Sequence, residues 1–260
     1  MPFADVNGQH VYFEDSGGPG AAVIFSHGYL MDHEMFEPQV AALSDEFRCI
    51  TWDERGFGQT EASDAFTYWD SADDALALLA HLGLDAAFFV GMSQGGFISM
   101  RAALRAPERV RGLGLIDTGA GVEAAEVRPL FEGMATDWVT NGPSDELIGA
   151  VAGIIMSPGY DHTGWVAKWR ATPRERVMVP FRALMDRDDI SDRLPDIAAP
   201  AIVFHGEQDA AIPMDKAERL ASELPNCEGL VRIAGAGHAA NLSHPDEVNG
   251  PLREFLRRHA

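Results

Sequence analysis

The sequence is poor in positive charge. It has 20 lysines and arginines against 40 aspartates and glutamates, a formal net charge of −20, and lysine occurs only at Lys168 and Lys216. A nucleic-acid partner demands a basic surface to meet its phosphates, and an anionic membrane demands the same, so neither is expected. A cationic substrate is not implied, because a soluble acidic surface accounts for the charge. Cysteine is nearly absent. Neither Cys49 nor Cys227 has a metal-ligand spacing, and both are expected to be buried thiols. No apolar run is long enough to span a bilayer. Met1-Pro2-Phe3-Ala4-Asp5 lacks the basic-then-apolar pattern of a secretory signal, so a cytoplasmic protein is expected. No internal repeat or low-complexity stretch is present.

What is present is ample core. Of 260 residues 46% are hydrophobic, enough for one large domain or two small ones. Phe3 to Asp15 alternates around Asn7-Gly8 and reads as a hairpin. Apolar strand-like runs follow at Ala21–Ser26, Arg48–Trp52, Ala86–Val90, Val110–Ile116, Ala201–Phe204 and Leu230–Ile233. Between them lie helical stretches at Met35–Phe47, Trp69–Leu82, Phe97–Leu104, Met214–Leu224 and Asp246–Arg258. Strands alternating with helices predict a parallel sheet covered on both faces. From Gly121 to about Leu194 the rhythm breaks. Ala124–Val139, Asp145–Met156, Trp165–Arg170 and Arg174–Met185 read as helices, with Thr172-Pro173 as a helix start. Residues 1–120 and 195–260 are therefore expected to form the core and residues 121–194 an inserted helical cap.

The stretch that organises the chain is Gly91-Met92-Ser93-Gln94-Gly95, set between a strand-like and a helix-like run. A serine on so tight a turn is held in a strained conformation, and the flanking glycines admit neighbouring backbone. The turn lifts the hydroxyl clear of the sheet, toward the free N–H groups of the helix start. A serine hydroxyl is a poor nucleophile unless a histidine takes its proton and an acid orients that histidine. His238, in Gly235-Ala236-Gly237-His238 after the last strand, is the best base. Asp209, in His205-Gly206-Glu207-Gln208-Asp209 after the preceding strand, is the best acid, and Asp117, which also follows a strand, competes with it. His27, His205 and His238 invite comparison with a metal cluster, but no spaced ligand pair supports one, and His27 is expected to brace its loop. No metal or other cofactor is expected.

The order Ser93, Asp209, His238, with the Ser93 turn and the mid-chain cap, resembles the α/β-hydrolase family. His27-Gly28, Asp53-x-Arg55-Gly56-x-Gly58 and Gly206-x-x-Asp209 match the pattern of its capped esterases, enol-lactonases and cofactor-free haloperoxidase-type members. The resemblance implies an α/β fold with a mostly parallel eight-stranded sheet, helices on both faces and a helical cap after the sixth strand. It also implies a Ser93–His238–Asp209 triad and an oxyanion hole from the backbone N–H groups of Tyr29 and Gln94. The cap's Phe131, Met134, Trp138, Met156, Tyr160, Trp165, Trp169, Met178 and Phe181 point to an apolar underside. Leu30, Met92, Trp138 and Trp165 are the expected pocket residues. The expected activity is hydrolysis of a small or medium apolar ester or lactone. The expected partner is a small molecule, and a homo-oligomer is compatible with the composition. A perhydrolase, a carbon–carbon bond hydrolase and a ligand receptor on the same fold are the alternatives. Perhydrolase-type members carry proline where this chain has Leu30, which favours water over peroxide as the second nucleophile.

Overall fold

Asn7 (φ 48°) and Gly8 (φ 74°) both take left-handed backbone, the two-residue geometry that follows the twist of flanking strands. They join β1 (Phe3–Val6) to β2 (Gln9–Asp15) in an antiparallel hairpin. The hairpin is the edge of a sheet in the computed structural model, which describes residues 2–62 and 64–260. The remaining strands are β3 (Ala22–Ser26), β4 (Arg48–Trp52), β5 (Ala87–Met92), β6 (Val110–Ile116), β7 (Ala201–Gly206) and β8 (Cys227–Ile233). The spatial order is β1-β2-β4-β3-β5-β6-β7-β8. β2 meets β4 antiparallel, and every later pairing is parallel. Every residue of β3, β5 and β7 is buried, which is why these strands read as unbroken apolar runs.

Helices α1 (Glu37–Leu43), α2 (Tyr68–His81) and α3 (Gln94–Arg105) follow β3, β4 and β5. After β6 come α4 (Arg128–Asn141), α5 (Asp145–Ile155), α6 (Thr163–Ala171) and α7 (Met178–Met185), with no strand among them. After β7 come α8 (Met214–Glu223) and, beyond β8, α9 (Ala240–Ser243) and α10 (Pro245–His259). Two apolar clusters sandwich the sheet. One gathers the buried faces of α2, α3 and α8, and the other those of α1 and α10 with the apolar side of the inserted helices. Among the described residues no helix is long and apolar enough to cross a membrane.

Three local expectations shift. The helix expected from Met35 to Phe47 is shorter. Pro38 sits at the start of α1, the one turn where its missing N–H costs nothing. His33–Phe36 is a 3-10 turn before it, and the Phe47 N–H closes back on the Leu43 carbonyl. Thr172 does not start a helix. Its hydroxyl donates to the Lys168 carbonyl and so ends α6. Cys49 is buried in β4, but Cys227, at the start of β8, is half-buried; both are free.

The strand order reverses at β3, whose neighbours are β4 and β5. The crevice at such a switch point, beyond the carboxyl ends of the strands, is where open α/β sheets bind ligands. Close backbone approach defines it. A Cβ on Gly91 would overlap the Gly95 carbonyl, and one on Gly95 would overlap the carbonyl of Ser26. Gly95→Ala is therefore expected to lower stability by about 1–3 kcal/mol or more, the usual cost of overpacking a rigid site. Urea melts of the two proteins measure it.

Candidate functional site

Ser93 stands at the junction of β5 and α3 with φ 52° and ψ −115°. This left-handed backbone is costly for a residue with a Cβ and persists only where the surroundings impose it. Here the Ser93 N–H donates to the Ile116 carbonyl (2.9 Å), and the glycines on either side let α3 start hard against β3. The elbow holds the side chain at the mouth of α3.

The structure brings His238 and Asp209 together. His238 Nδ1 lies 2.8 Å from Asp209 Oδ2, and the other carboxylate oxygen accepts the N–H groups of Ala211 and Ile212 (2.8 and 2.9 Å). Burial opposes ionisation of both groups, and their mutual attraction outweighs it. The Asp209 carboxyl is held below the usual range and the His238 imidazole is raised above its ordinary value. Nδ1 bound to a carboxylate leaves Nε2 as the proton-accepting atom. Ser93 and His238 line one cavity. No hydrogen bond joins the two side chains.

Asp117 is placed differently. It is fully buried, and its two oxygens accept the N–H groups of Gly206 (2.8 Å) and Ala240 (3.0 Å). Burial and the nearby Asp209 charge raise its carboxyl well above the usual range. Asp117 thus ties the loop bearing Asp209 to the one bearing His238 and makes no hydrogen bond to the imidazole. His205 Nε2 donates to the Ile212 carbonyl (2.9 Å). His27 joins the Gly28 carbonyl (2.8 Å) to the Glu54 N–H (3.0 Å) and does brace its loop. His27 thus stands apart from the other two, while His205 Nε2 (3.4 Å) and His238 Nδ1 (2.8 Å) both lie near Asp209 Oδ2. Ligand-type atoms do cluster at Asp32, His33 and Asp53, and at Asp117, His205 and Asp209. Asp53 already accepts from the His33 ring and from the N–H groups of His33 and Gln59, and Asp117 and Asp209 are engaged as described. Arg55 of the same loop pairs with Asp74 of α2, so the Asp53–Gly58 segment is a latch under the site.

The N–H groups of Tyr29 and Gln94 meet no acceptor among the described residues. Leu30, next to Tyr29, takes left-handed backbone (φ 61°), and its carbonyl accepts from Trp169 Nε1 of α6 (2.7 Å). One residue earlier on α6, Lys168 pairs with Asp32 and Glu34. These contacts from the inserted segment to the β3 loop were not legible in the sequence, because nothing in the spacing of Trp169 or Lys168 marks a partner some 140 residues away.

Above Ser93 lies a cavity of about 120 Å³, lined almost wholly by apolar side chains. Leu30, Met92 and Trp138 line it, with Phe131, Met134 and Phe181 from the helices between β6 and β7. Trp165 does not. Its indole faces the apolar cluster beneath α6, with the Lys168 ammonium 4.7 Å above the ring. Among the described residues, the lining's ionisable side chain besides His238 and Tyr29 is Glu123, which is neutralised by a two-pronged pairing with Arg187 (2.7 Å each). Arg187 in turn stacks on the Phe97 ring at 4.3 Å. Neither residue was singled out from sequence.

Comparison with known proteins places this geometry. Residues 21–148 match the family model described as alpha/beta hydrolase fold. A putative carbamate hydrolase, RutD, of Rhizobium rhizogenes is 30% identical over 258 residues, covering 90% of this chain and 92% of the relative. Among solved structures, a thermophilic esterase from Thermogutta terrifontis superposes with a TM-score of 0.86 at 30% identity, over 97% of this chain and 95% of the other. The enol-lactonase from Burkholderia xenovorans LB400 also gives 0.86, at 28% identity over 98% and 100%. The family match, with a 30% identical relative covering 90% of this chain, makes this chain a member of the α/β-hydrolase family.

Proposed function

We propose that the protein hydrolyses a carboxylic ester or lactone with a small or medium apolar acyl part, through an acyl-enzyme on Ser93. The observation that carries this reading is the placement of Ser93, on a strained elbow, in the wall of an apolar cavity that also holds His238. Ser93 Oγ attacks the carbonyl carbon while His238 Nε2 takes its proton. The tetrahedral oxyanion is met by the unspent N–H groups of Tyr29 and Gln94, and Asp209 stabilises the imidazolium. The carbon–oxygen bond to the leaving group breaks, and His238 returns the proton to the alkoxide. Water, deprotonated by His238, then frees the acid and restores Ser93. No step calls for a metal or organic cofactor.

The lining favours an uncharged, apolar acyl group, since its Glu123 is paired and the described lining residues include no lysine or arginine to meet a carboxylate. The Leu30 carbonyl bears on the competing peroxide reaction. It is held by Trp169, which disfavours its turning toward the site to accept from peroxide. A panel of p-nitrophenyl esters of graded acyl length, run beside a lactone panel, tests the reading. Turnover should peak at a defined acyl length. Trp138→Ala should move the peak to longer chains, each methylene of fit being worth about 1–3 kcal/mol. A ligand-dependent thermal shift with no turnover on either panel would instead mark a receptor.

A further inference from the structure

Two backbone N–H groups cannot hold an oxyanion unless their peptide planes are fixed, and a trans peptide sets its N–H opposite its C=O. The direction of each proposed donor is thus governed by what binds the carbonyl of the same peptide unit. For Tyr29 that carbonyl belongs to Gly28. It takes the ring N–H of His27 (2.8 Å) and the backbone N–H of Met31 (3.1 Å). His27 can donate there because its other nitrogen accepts the Glu54 N–H, which selects the tautomer.

For Gln94 the carbonyl belongs to Ser93 itself. It accepts two N–H groups of the first turn of α3, from Gly96 (2.9 Å) and Phe97 (3.2 Å), and a third, shorter bond of 2.7 Å from the hydroxyl of Thr118. Thr118 is fully buried just beyond β6. It fits there because Gly96 has no side chain; a Cβ on that glycine would run into the threonine hydroxyl and methyl. The elbow is thereby gripped on both sides by the end of β6, through the Ile116 carbonyl on the Ser93 N–H and the Thr118 hydroxyl on the Ser93 carbonyl. The two donor peptides are also linked to each other. The Gln94 side chain donates to the Glu54 carboxyl and accepts from the Tyr68 hydroxyl (3.2 Å), and Glu54 is the residue whose N–H fixes His27.

We propose that Thr118 is a positioning residue for the oxyanion hole. Its hydroxyl orients and polarises the Ser93–Gln94 peptide as His27 does the Gly28–Tyr29 peptide. The inference rests on Ser93 being the nucleophile. A hydrogen bond to the carbonyl makes the N–H of the same peptide a stronger donor, and it does so where charge appears only in the transition state. Loss of the hydroxyl should therefore lower kcat and leave KM unchanged.

Thr118→Val keeps the shape and removes the hydroxyl; Thr118→Ser keeps the hydroxyl. Losing a whole donor costs about 10²–10³ in rate, and weakening one should cost about tenfold. The expected result for Thr118→Val is that loss in kcat at constant KM, with the inhibition constant of phenylboronic acid, which forms a tetrahedral anion on the serine, rising by the same factor. Thr118→Ser should stay near wild type in both. If the valine protein does not fold, as a thermal melt will show, Thr118→Ala set against Thr118→Ser isolates the hydroxyl in the same way. Equal losses in hydroxyl-bearing and hydroxyl-free variants, or unchanged kcat and boronate affinity in the hydroxyl-free ones, overturn the proposal. Failure of the underlying reading is seen separately, as wild-type protein that turns over no ester and takes no boronate.

Discussion

Ser93→Ala should reduce ester turnover by about 10⁶, the scale of loss when a triad nucleophile is removed from a serine hydrolase, while the melting temperature barely moves. Ser93 is small and lines the cavity, so losing its hydroxyl removes little packing. The elbow's strain is carried by the backbone and its glycine neighbours, which the substitution leaves in place. A fluorophosphonate probe should label the wild type on the peptide containing Ser93 and leave the variant unlabelled. Labelling at another residue, or full turnover by the alanine protein, would remove the acyl-enzyme from the mechanism.

Asp209→Asn should cost about 10⁴ in kcat, because an amide facing Nδ1 favours the wrong tautomer. Asp117→Asn should cost less. Its carboxyl holds two backbone N–H groups, and an amide oxygen can still accept one of them. The pH profiles should separate the two aspartates further. Burial lowers the proton affinity of His238, and Asp209 more than restores it, so the imidazole sits above its ordinary value. The working form is the neutral base. Turnover should accordingly fall as pH drops through that raised value, at a higher pH than an unperturbed histidine near about 6.5 would give. Removing the Asp209 charge should slide this acid limb downward along with the loss in rate. If Asp117→Asn proves the more damaging change, the orienting acid lies after β6 instead.

The sequence exposed those parts of the molecule that rest on local pattern. β4 and β6 have the very bounds their apolar runs indicate, because strands buried over most of their length read as near-continuous apolar runs. The Gly-x-Ser-x-Gly turn was legible because strand, glycine and helix each impose a local rule. Its supports were not. Thr118, Glu54 and Tyr68 look like ordinary loop and helix residues until the fold sets them around Ser93 and Gln94, from 25 to 40 positions away. Asp117 and Asp209 both follow strands, and only the fold shows that backbone N–H groups surround one while an imidazole meets the other. Trp165 and Trp169 share one helix and one composition. The placement of α6 decides that the first lies under the Lys168 ammonium and the second reaches the Leu30 carbonyl.

That last contact constrains how the protein could be rebuilt. Exchanging residues 121–194 for the corresponding insert of a relative looks like a modular way to change acyl preference, since the segment lies between β6 and β7 and adds no strand to the sheet. Yet α6 carries the indole that holds Leu30 in left-handed backbone and the ammonium that anchors Asp32 and Glu34. A graft that omits an equivalent of Trp169 and Lys168 would release the loop bearing the Tyr29 N–H. A chimera would thus exchange one substrate range for another only if the donor insert brought along its own fastening for that loop; otherwise it would inherit a new roof over a disarmed nucleophile.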